Sequence, residues 1–289
     1  ERVVGIEPAQ NICEMASANG VDTLHGFFDE QIVEDIIKMK GGADIVTANN
    51  VFAHINNIKD VTRNVKKLLK DNGVFIIEVQ YLLDTIQKLT FDNIYHEHLS
   101  YYSVLSLNEF FRRNEMEIFK IERVDTHGGS IRVYVQKSGG ANKIDGSVEM
   151  IINNEIAIGL DKYDAYKNFA SKIQQTKNKV REFMMRAKGE GKKIVGYGAP
   201  AKATTMLNFY DINNSYIDYI VEDNPLKHGK IVPGVRIPIR GRDFLSANKP
   251  DYVMILAWNF ADEIIRNNEN LRHMGIKFII PNQDLKIVQ

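Results

Sequence analysis

Strand-length apolar runs alternate with helical spacing from the first residues onward. A run over 3–6 closes on Glu7-Pro8, and Pro8 suits the first turn of a helix reaching about Asn19. A second strand ends near Leu24-His25-Gly26, and Ile32, Val33, Ile36 and Ile37 give helical spacing over 29–39. Residues 44–47 predict a strand running into Asn49-Asn50, Val61, Val65, Leu68 and Leu69 mark an amphipathic helix over 58–70, and 74–79 is the next strand. Strands apolar on both faces and separated by helix-length segments imply crossover units and a mostly parallel sheet. The runs 118–124 and 131–135, joined by a short loop at 126–130, predict an antiparallel pair at one sheet edge. Parallel strands with such an edge hairpin suit a nucleotide-cofactor sheet, here lacking its first strand.

Beyond this sheet the Gly- and polar-rich stretch 138–146 reads as a boundary, followed by a long helical region over 147–190. A second alternating section has strands at 194–197, 217–221, 252–257 and 277–280, with helices at 200–209, 242–247 and 260–271. The expected organisation is therefore α/β throughout, with one domain over 1–138 and a second over 139–289, made of a long connecting helix and a smaller α/β unit. A chain of 289 residues suits two domains.

Charge narrows the partners. The 37 Lys and Arg cancel the 37 Asp and Glu, leaving no global field to attract nucleic acid or an anionic membrane. The longest apolar runs are strand-length, far short of the ~20 residues that span a bilayer. One cysteine, Cys13, allows no intrachain disulfide and no CxxC site, which fits a reducing, cytoplasmic compartment. The opening Arg2-Val3-Val4-Gly5-Ile6-Glu7 reads as a buried strand with no element before it, so the chain reads as a fragment.

Polar residues gather at the carboxyl ends of the predicted strands, where ligands of open α/β sheets bind. Glu7 follows the first strand, and a carboxylate there can accept both hydroxyls of a ribose or simply favour a helix start. Phe27-Phe28 follows the second, able to stack on a purine or to join the core; Asn49, Asn50 and His54 follow the third. The densest cluster is 91–103, Phe-Asp-Asn-Ile-Tyr-His-Glu-His-Leu-Ser-Tyr-Tyr-Ser. Its histidines can be metal ligands at His96 and His98, or one imidazole can be a general base beside a tyrosine and a carboxylate. A polar surface loop is the plain alternative. In the second section, Gly196-Tyr197-Gly198-Ala199-Pro200-Ala201-Lys202 is strand, glycine turn and helix, which suits an anion at the helix start with Lys202 one turn in. Glu222-Asp223-Asn224-Pro225, Lys227 and His228 follow the next strand, and Trp258-Asn259 the one after.

The 91–103 cluster resembles the hallmark of S-adenosylmethionine-dependent sugar C-methyltransferases, which methylate C-3 of dTDP-linked 4-keto-deoxysugars. Further matches run in order: Val4-Gly5-Ile6-Glu7-Pro8, the segment Ala48-Asn49-Asn50-Val51-Phe52-Ala53-His54, His127-Gly128-Gly129-Ser130, the Gly196–Lys202 turn, Glu222-Asp223-Asn224-Pro225 and Leu256-Ala257-Trp258-Asn259-Phe260. The resemblance implies a Rossmann-like methyltransferase core followed by a Rossmann-like domain that helps hold a nucleotide-diphosphate sugar. Glu7 and Pro8 would bind the ribose of S-adenosylmethionine, Phe27 and Phe28 would lie near its adenine, and Asn49 and Asn50 would flank its methionine part. His98 would take the proton from C-3, with Tyr95, Glu97 and His54 around the reacting sugar. His127, Ser130, Tyr197, Gly198, Ala199, Lys202, Asp223, Asn224 and His228 would contact the substrate. The reaction itself needs no metal, and zinc would belong to an N-terminal domain that this chain lacks, together with the first core strand and its glycine motif. Methylation at oxygen or nitrogen of a related sugar, a nucleotide-sugar binding module without catalysis, and a metal hydrolase on His96 and His98 are the competing expectations. A monomer or weak homo-oligomer is expected.

Overall fold

The structure, a computed structural model, describes residues 2–282 and 285–289. Two compact units interleave in sequence: one holds the chain up to Gln80 with Leu99–Val124 and Ser130–Ala157, the other Tyr81–His98, Asp125–Gly129 and Ile158–Gln289. The second unit takes the hallmark segment and the hairpin loop as well as the C-terminal section.

The first unit contains β1 (Gly5–Glu7), β2 (Thr23–His25), β3 (Ala43–Asn49), β4 (Leu69–Gln80), β5 (Met116–Val124) and β6 (Ser130–Lys137). β1 and β2 pair in parallel, with Glu7 opposite His25. The other four run in the order β3-β4-β6-β5, parallel between β3 and β4 and antiparallel from β4 onward. The expected edge hairpin is therefore present. Helix Glu30–Lys40 joins the two sheets, since Val33 and Ile36 share one apolar cluster with Val4, Ile6, Leu24, Ala43 and Val46. Its start is fixed locally: the Asp29 carboxylate accepts the Ile32 N–H at 2.9 Å, and Lys38 and Lys40 suit the negative end of the helix dipole.

Aromatic packing then fixes the turn after β3. Phe52 is fully buried against Phe75, Tyr102, Phe110 and Phe111, and the Tyr102 hydroxyl donates to the Phe52 carbonyl at 3.2 Å. Helix Val104–Arg113 has a non-local cap: the buried Glu155 carboxylate accepts the N–H groups of Val104 and Leu105 at 2.7 and 2.8 Å. Glu155 lies on helix Gly146–Ile158, so the residues just beyond the 138–146 stretch pack with the first unit. The single long helix expected over 147–190 is two, Gly146–Ile158 and Tyr163–Gly189, interrupted at Gly159, whose φ of +79° suits a residue without a side chain.

The second unit holds β7 (Ile194–Tyr197), β8 (Ile220–Val221), β9 (Ile239–Arg240), β10 (Tyr252–Ile255), β11 (Lys277–Ile280) and β12 (Lys286–Val288). Their order is β12-β11-β10-β7-β8-β9, parallel except for β12. Val180, Phe183 and Met184 from helix Tyr163–Gly189 meet Met206, Leu207 and Tyr210 from helix Ala201–Tyr210 in its core. Phe91 belongs to the same core, with ring centroids 4.8 Å from Phe209 and 5.4 Å from Tyr210.

Candidate functional site

In the first unit the carboxyl ends of β1, β2 and β3 carry the expected cofactor residues. One Glu7 carboxylate oxygen accepts the Ala9 N–H at 2.8 Å, which aims the group at the strand end and keeps Pro8 in the turn. The Pro8 carbonyl lies 3.0 Å from Nε2 of His25, a residue that sequence reasoning left without a role. The aromatic pair divides. Phe28 packs against the apolar cluster under helix Glu30–Lys40, whereas Phe27 is 74% exposed. Gly26 makes the turn between β2 and this pair, because a Cβ there would lie 2.5 Å from Ile32 Cδ1. Asn49 ends β3 with an exposed side chain. Asn50 takes the left-handed region at φ +55° and its N–H donates to the Glu78 carbonyl at 2.8 Å, turning the chain sharply away from the sheet. His54 closes the following turn with an exposed ring. Ser130 is buried at the start of β6.

The hallmark residues Tyr95, Glu97 and His98 lie in the second unit. His98 Nδ1 is 2.6 Å from the Asn93 carbonyl oxygen. A carbonyl oxygen can only accept, so Nδ1 carries the proton and Nε2 is the basic nitrogen. The Tyr95 ring packs on the imidazole with centroids 4.3 Å apart. Burial and the neighbouring Glu97 carboxylate push the Tyr95 phenol above its ordinary pKa, so it stays protonated and able to donate near neutrality. His96 is exposed, with Nε2 3.8 Å from Glu97. Among the described residues no three His, Cys, Asp or Glu side chains are grouped to hold a metal ion.

The glycine turn after β7 differs from the expected anion cradle. The Ala199 N–H donates at 2.8 Å to the Glu222 carboxylate, and Lys227 Nζ reaches the Ala199 carbonyl at 3.0 Å and Glu222 at 3.3 Å. Burial opposes ionisation of Glu222, but the N–H groups of Asn224 and Ala199 together with Lys227 outweigh it and lower its pKa. A carboxylate of the protein itself therefore occupies the donor that a phosphate would use. Gly198 is tight for another reason: at φ +84°, a Cβ would lie 2.8 Å from that of Ala257. Tyr197 donates to Asp223 at 3.0 Å, and His228 Nε2 lies 2.7 Å from the Glu222 carbonyl. Asp223, Asn224 and His228 are exposed.

Lys202 does not join the turn. Its ammonium lies 4.5 Å from the centre of the Trp258 ring, while the Trp258 Nε1–H donates to Asp92 Oδ2 at 2.5 Å. Asp92 is fully buried, and neither its Oδ1 nor Lys202 Nζ has a hydrogen-bond partner among the described residues. Burial raises the Asp92 pKa from 3.8 to about 6, against the pull of the indole and of Lys202. Burial likewise lowers that of Lys202, with Asp92 opposing. The sequence showed Asp92 within the polar cluster but gave it no task; its partner stands 166 residues away.

His127, exposed and at φ +53°, leads into a docked loop. The Gly128 carbonyl accepts from Lys88 Nζ at 2.7 Å, and Lys88 pairs with the buried Asp84 at 3.3 Å. A Cβ on Gly128 would lie 2.6 Å from the Trp258 ring, and one on Gly129 2.3 Å from Asp84 Oδ2. Asp84 and Lys88 also escaped sequence reasoning, although their i, i+4 spacing is a visible signal. Beyond β10 and β11 a cavity of about 430 Å³ is lined by Trp258, Asn259, Phe260, Asp262, Arg266 and Ile280.

Residues 125–282 match the family described as C-methyltransferase C-terminal domain, and residues 2–120 match a methyltransferase domain. The chain is 33% identical over 287 residues to the C-methyltransferase NovU of Streptomyces niveus, covering 99% of this chain and 68% of that protein. Among solved structures, an S-adenosylmethionine-dependent methyltransferase of Anabaena variabilis is 12% identical at a TM-score of 0.38, covering 47% of this chain and 68% of that one. One of Clostridium acetobutylicum is 11% identical at 0.37, covering 48% and 76%. Among the described residues no helix is long and apolar enough to cross a membrane.

Proposed function

The chain belongs to the S-adenosylmethionine-dependent C-methyltransferase family, and from that premise we propose that its acceptor is the carbon α to the ketone of a nucleotide-linked keto-deoxysugar. The His98 imidazole carries this proposal. With Nδ1–H held by the Asn93 carbonyl at 2.6 Å, Nε2 presents its lone pair, which is the form a general base needs. His98 takes the proton from the carbon, and the electron pair left behind spreads onto the ketone oxygen. Tyr95, kept as a phenol by burial, donates to that developing oxyanion. Glu97 sets the local charge beside Tyr95.

The cofactor residues of the first unit suit S-adenosylmethionine. Glu7 is aimed by the Ala9 N–H, Phe27 is a large apolar ring left 74% exposed, and Asn49 offers an exposed amide. We assign Glu7 and Pro8 to the ribose, Phe27 and Phe28 to the adenine side, and Asn49 and Asn50 to the methionine part. When bound, the cofactor supplies a methyl group on a cationic sulfur. The second unit would hold the nucleotide diphosphate, with the exposed Asp223, Asn224 and His228 as contacts beside Tyr197 and Gly198, and the exposed His127 as a further substrate contact. The Ala199 N–H is not offered for this task, since Glu222 takes it.

The test is solvent-deuterium exchange at the α carbon of a dTDP-linked 4-keto-deoxysugar, followed by methyl transfer. Wild type should exchange and methylate, and His98→Asn should slow both by at least ~100-fold, because a general base contributes about 10²–10⁴. Unchanged exchange in His98→Asn would remove His98 from the role of base.

A further inference from the structure

Trp258 touches three segments that sequence alone keeps apart. Its Nε1–H donates to Asp92 at 2.5 Å, its ring lies against Gly128 so closely that a Cβ there would come within 2.6 Å, and Lys202 sits over its face. The Asp92 bond has consequences further along the loop. Phe91–Asn93 forms one tight turn, pinned by the Asn93 N–H to the Thr90 carbonyl at 3.1 Å and the Ile94 N–H to the Phe91 carbonyl at 2.8 Å. Phe91 anchors one side of that turn in the core and Asp92, fully buried, anchors the other. The next carbonyl, that of Asn93, is the acceptor for His98 Nδ1. The chain closes with the His98 N–H donating to the Tyr95 carbonyl at 3.0 Å.

We infer that Trp258 and Asp92 are positioning residues for His98: the indole–carboxylate bond fixes the Asn93 carbonyl, and that carbonyl fixes the ring plane and tautomer of the imidazole. This rests on His98 being the base, as proposed above. A buried carboxylate with one oxygen held by a rigid indole cannot rotate without losing its donor, so the turn has a single setting. Loss of the N–H leaves Asp92 buried without that donor, and the turn then relaxes to recover one. The Asn93 oxygen moves with it, and His98 becomes able to place its proton on either nitrogen.

Trp258→Phe removes the N–H and keeps a ring against Gly128 and Lys202. Asp92→Asn keeps an oxygen to accept from the indole, while Asp92→Leu does not. Histidine ¹⁵N spectra of the full chain report the tautomer, with the His98 signals assigned by their loss in His98→Asn. Wild type and Asp92→Asn should show Nδ1–H at His98. Trp258→Phe and Asp92→Leu should show mixed tautomers and a kcat lower by about 10–100-fold, with the acceptor KM within about twofold, as small misplacement of a reacting group would give. Calorimetric binding of S-adenosylhomocysteine should be unchanged in all, which checks the first unit, and the nearly unchanged acceptor KM checks that the second is folded. A wild-type tautomer in Trp258→Phe would overturn the inference, whatever the rate, since a lower rate would then reflect general weakening. Full activity in His98→Asn would instead overturn the assignment of the base and leave the tautomer result standing on its own.

Discussion

At the scale of single residues, the buried pair Asp92 and Lys202 shows how burial and attraction compete. Each would gain from the other's charge, yet the carboxyl is pushed up to about 6 and the ammonium down, so desolvation exceeds the attraction for both. The sign of the resulting pH dependence follows. In the unfolded chain Asp92 ionises near 3.8, while in the folded chain it holds its proton to about 6. Folding is therefore favoured by this group in acid, and the benefit is lost as pH rises from about 4 through about 6. A displacement of that size corresponds to about 3 kcal/mol. Asp92→Asn still accepts from the indole but cannot titrate. Urea unfolding of wild type and Asp92→Asn at about pH 4 and about pH 7 should show the stability difference moving by up to about 3 kcal/mol toward the variant at the higher pH. A difference that does not change with pH would mean that Asp92 titrates as an ordinary carboxylate.

At the scale of elements, the turn between β5 and β6 depends on Gly128 and Gly129 for steric reasons that differ from ordinary turn preference. Gly129 has φ +131° and its missing Cβ would fall 2.3 Å from Asp84 Oδ2, a buried group that cannot withdraw. Gly139, at the other end of β6, has φ +75° with nothing within 4 Å. Gly139→Ala should cost about 1 kcal/mol from backbone strain, whereas Gly129→Ala adds overpacking and should cost about 3 kcal/mol or more. Chemical denaturation of the two variants measures the gap, and equal costs would show that Asp84 yields. Local pattern made much of this scale legible. The strands at 194–197 and 277–280 stand where apolar runs place them, and the hairpin of β5 and β6 is antiparallel as its short loop requires. Helix Val104–Arg113 was not foreseen, because the tyrosine-rich segment before it reads as a loop and its capping carboxylate, Glu155, arrives from a distant helix. β9 and β12 are two and three residues long and owe their existence to strands already paired beside them. The hallmark histidines were legible as chemistry. The Asn93 carbonyl that sets the His98 tautomer, and Glu222 in the glycine turn, were not, since each depends on where a backbone turn brings its partner.

At the scale of the whole molecule, a cut at one point in the sequence does not separate the two cores. Tyr81–His98 packs as part of the C-terminal unit, and it does so through specific groups rather than by general adhesion. Phe91 is 7% exposed among residues of the second core, against Phe209 and Tyr210, and Asp92 supplies the acceptor for the Trp258 N–H. Residues 158–289 produced alone would lack both. Emptying a phenylalanine site in a core costs about 3–5 kcal/mol, a large part of the ~5–15 kcal/mol that holds a typical domain together. The fragment should therefore unfold at a lower temperature than the same unit in the full chain, and a synthetic peptide of residues 81–98 should raise its midpoint in a saturable way. Trp258 is the sole tryptophan of the sequence, so its emission reports the event directly. It should shift to shorter wavelength as the peptide covers the indole and engages its N–H. The same peptide carrying Asp92→Leu should bind more weakly, because Phe91 still fills its place but the indole loses its acceptor. If instead the fragment melts at the midpoint of the full chain and its tryptophan emission ignores the peptide, the C-terminal core is complete without the hallmark segment. The loop that carries His98 would then owe its shape to something other than the core beneath it.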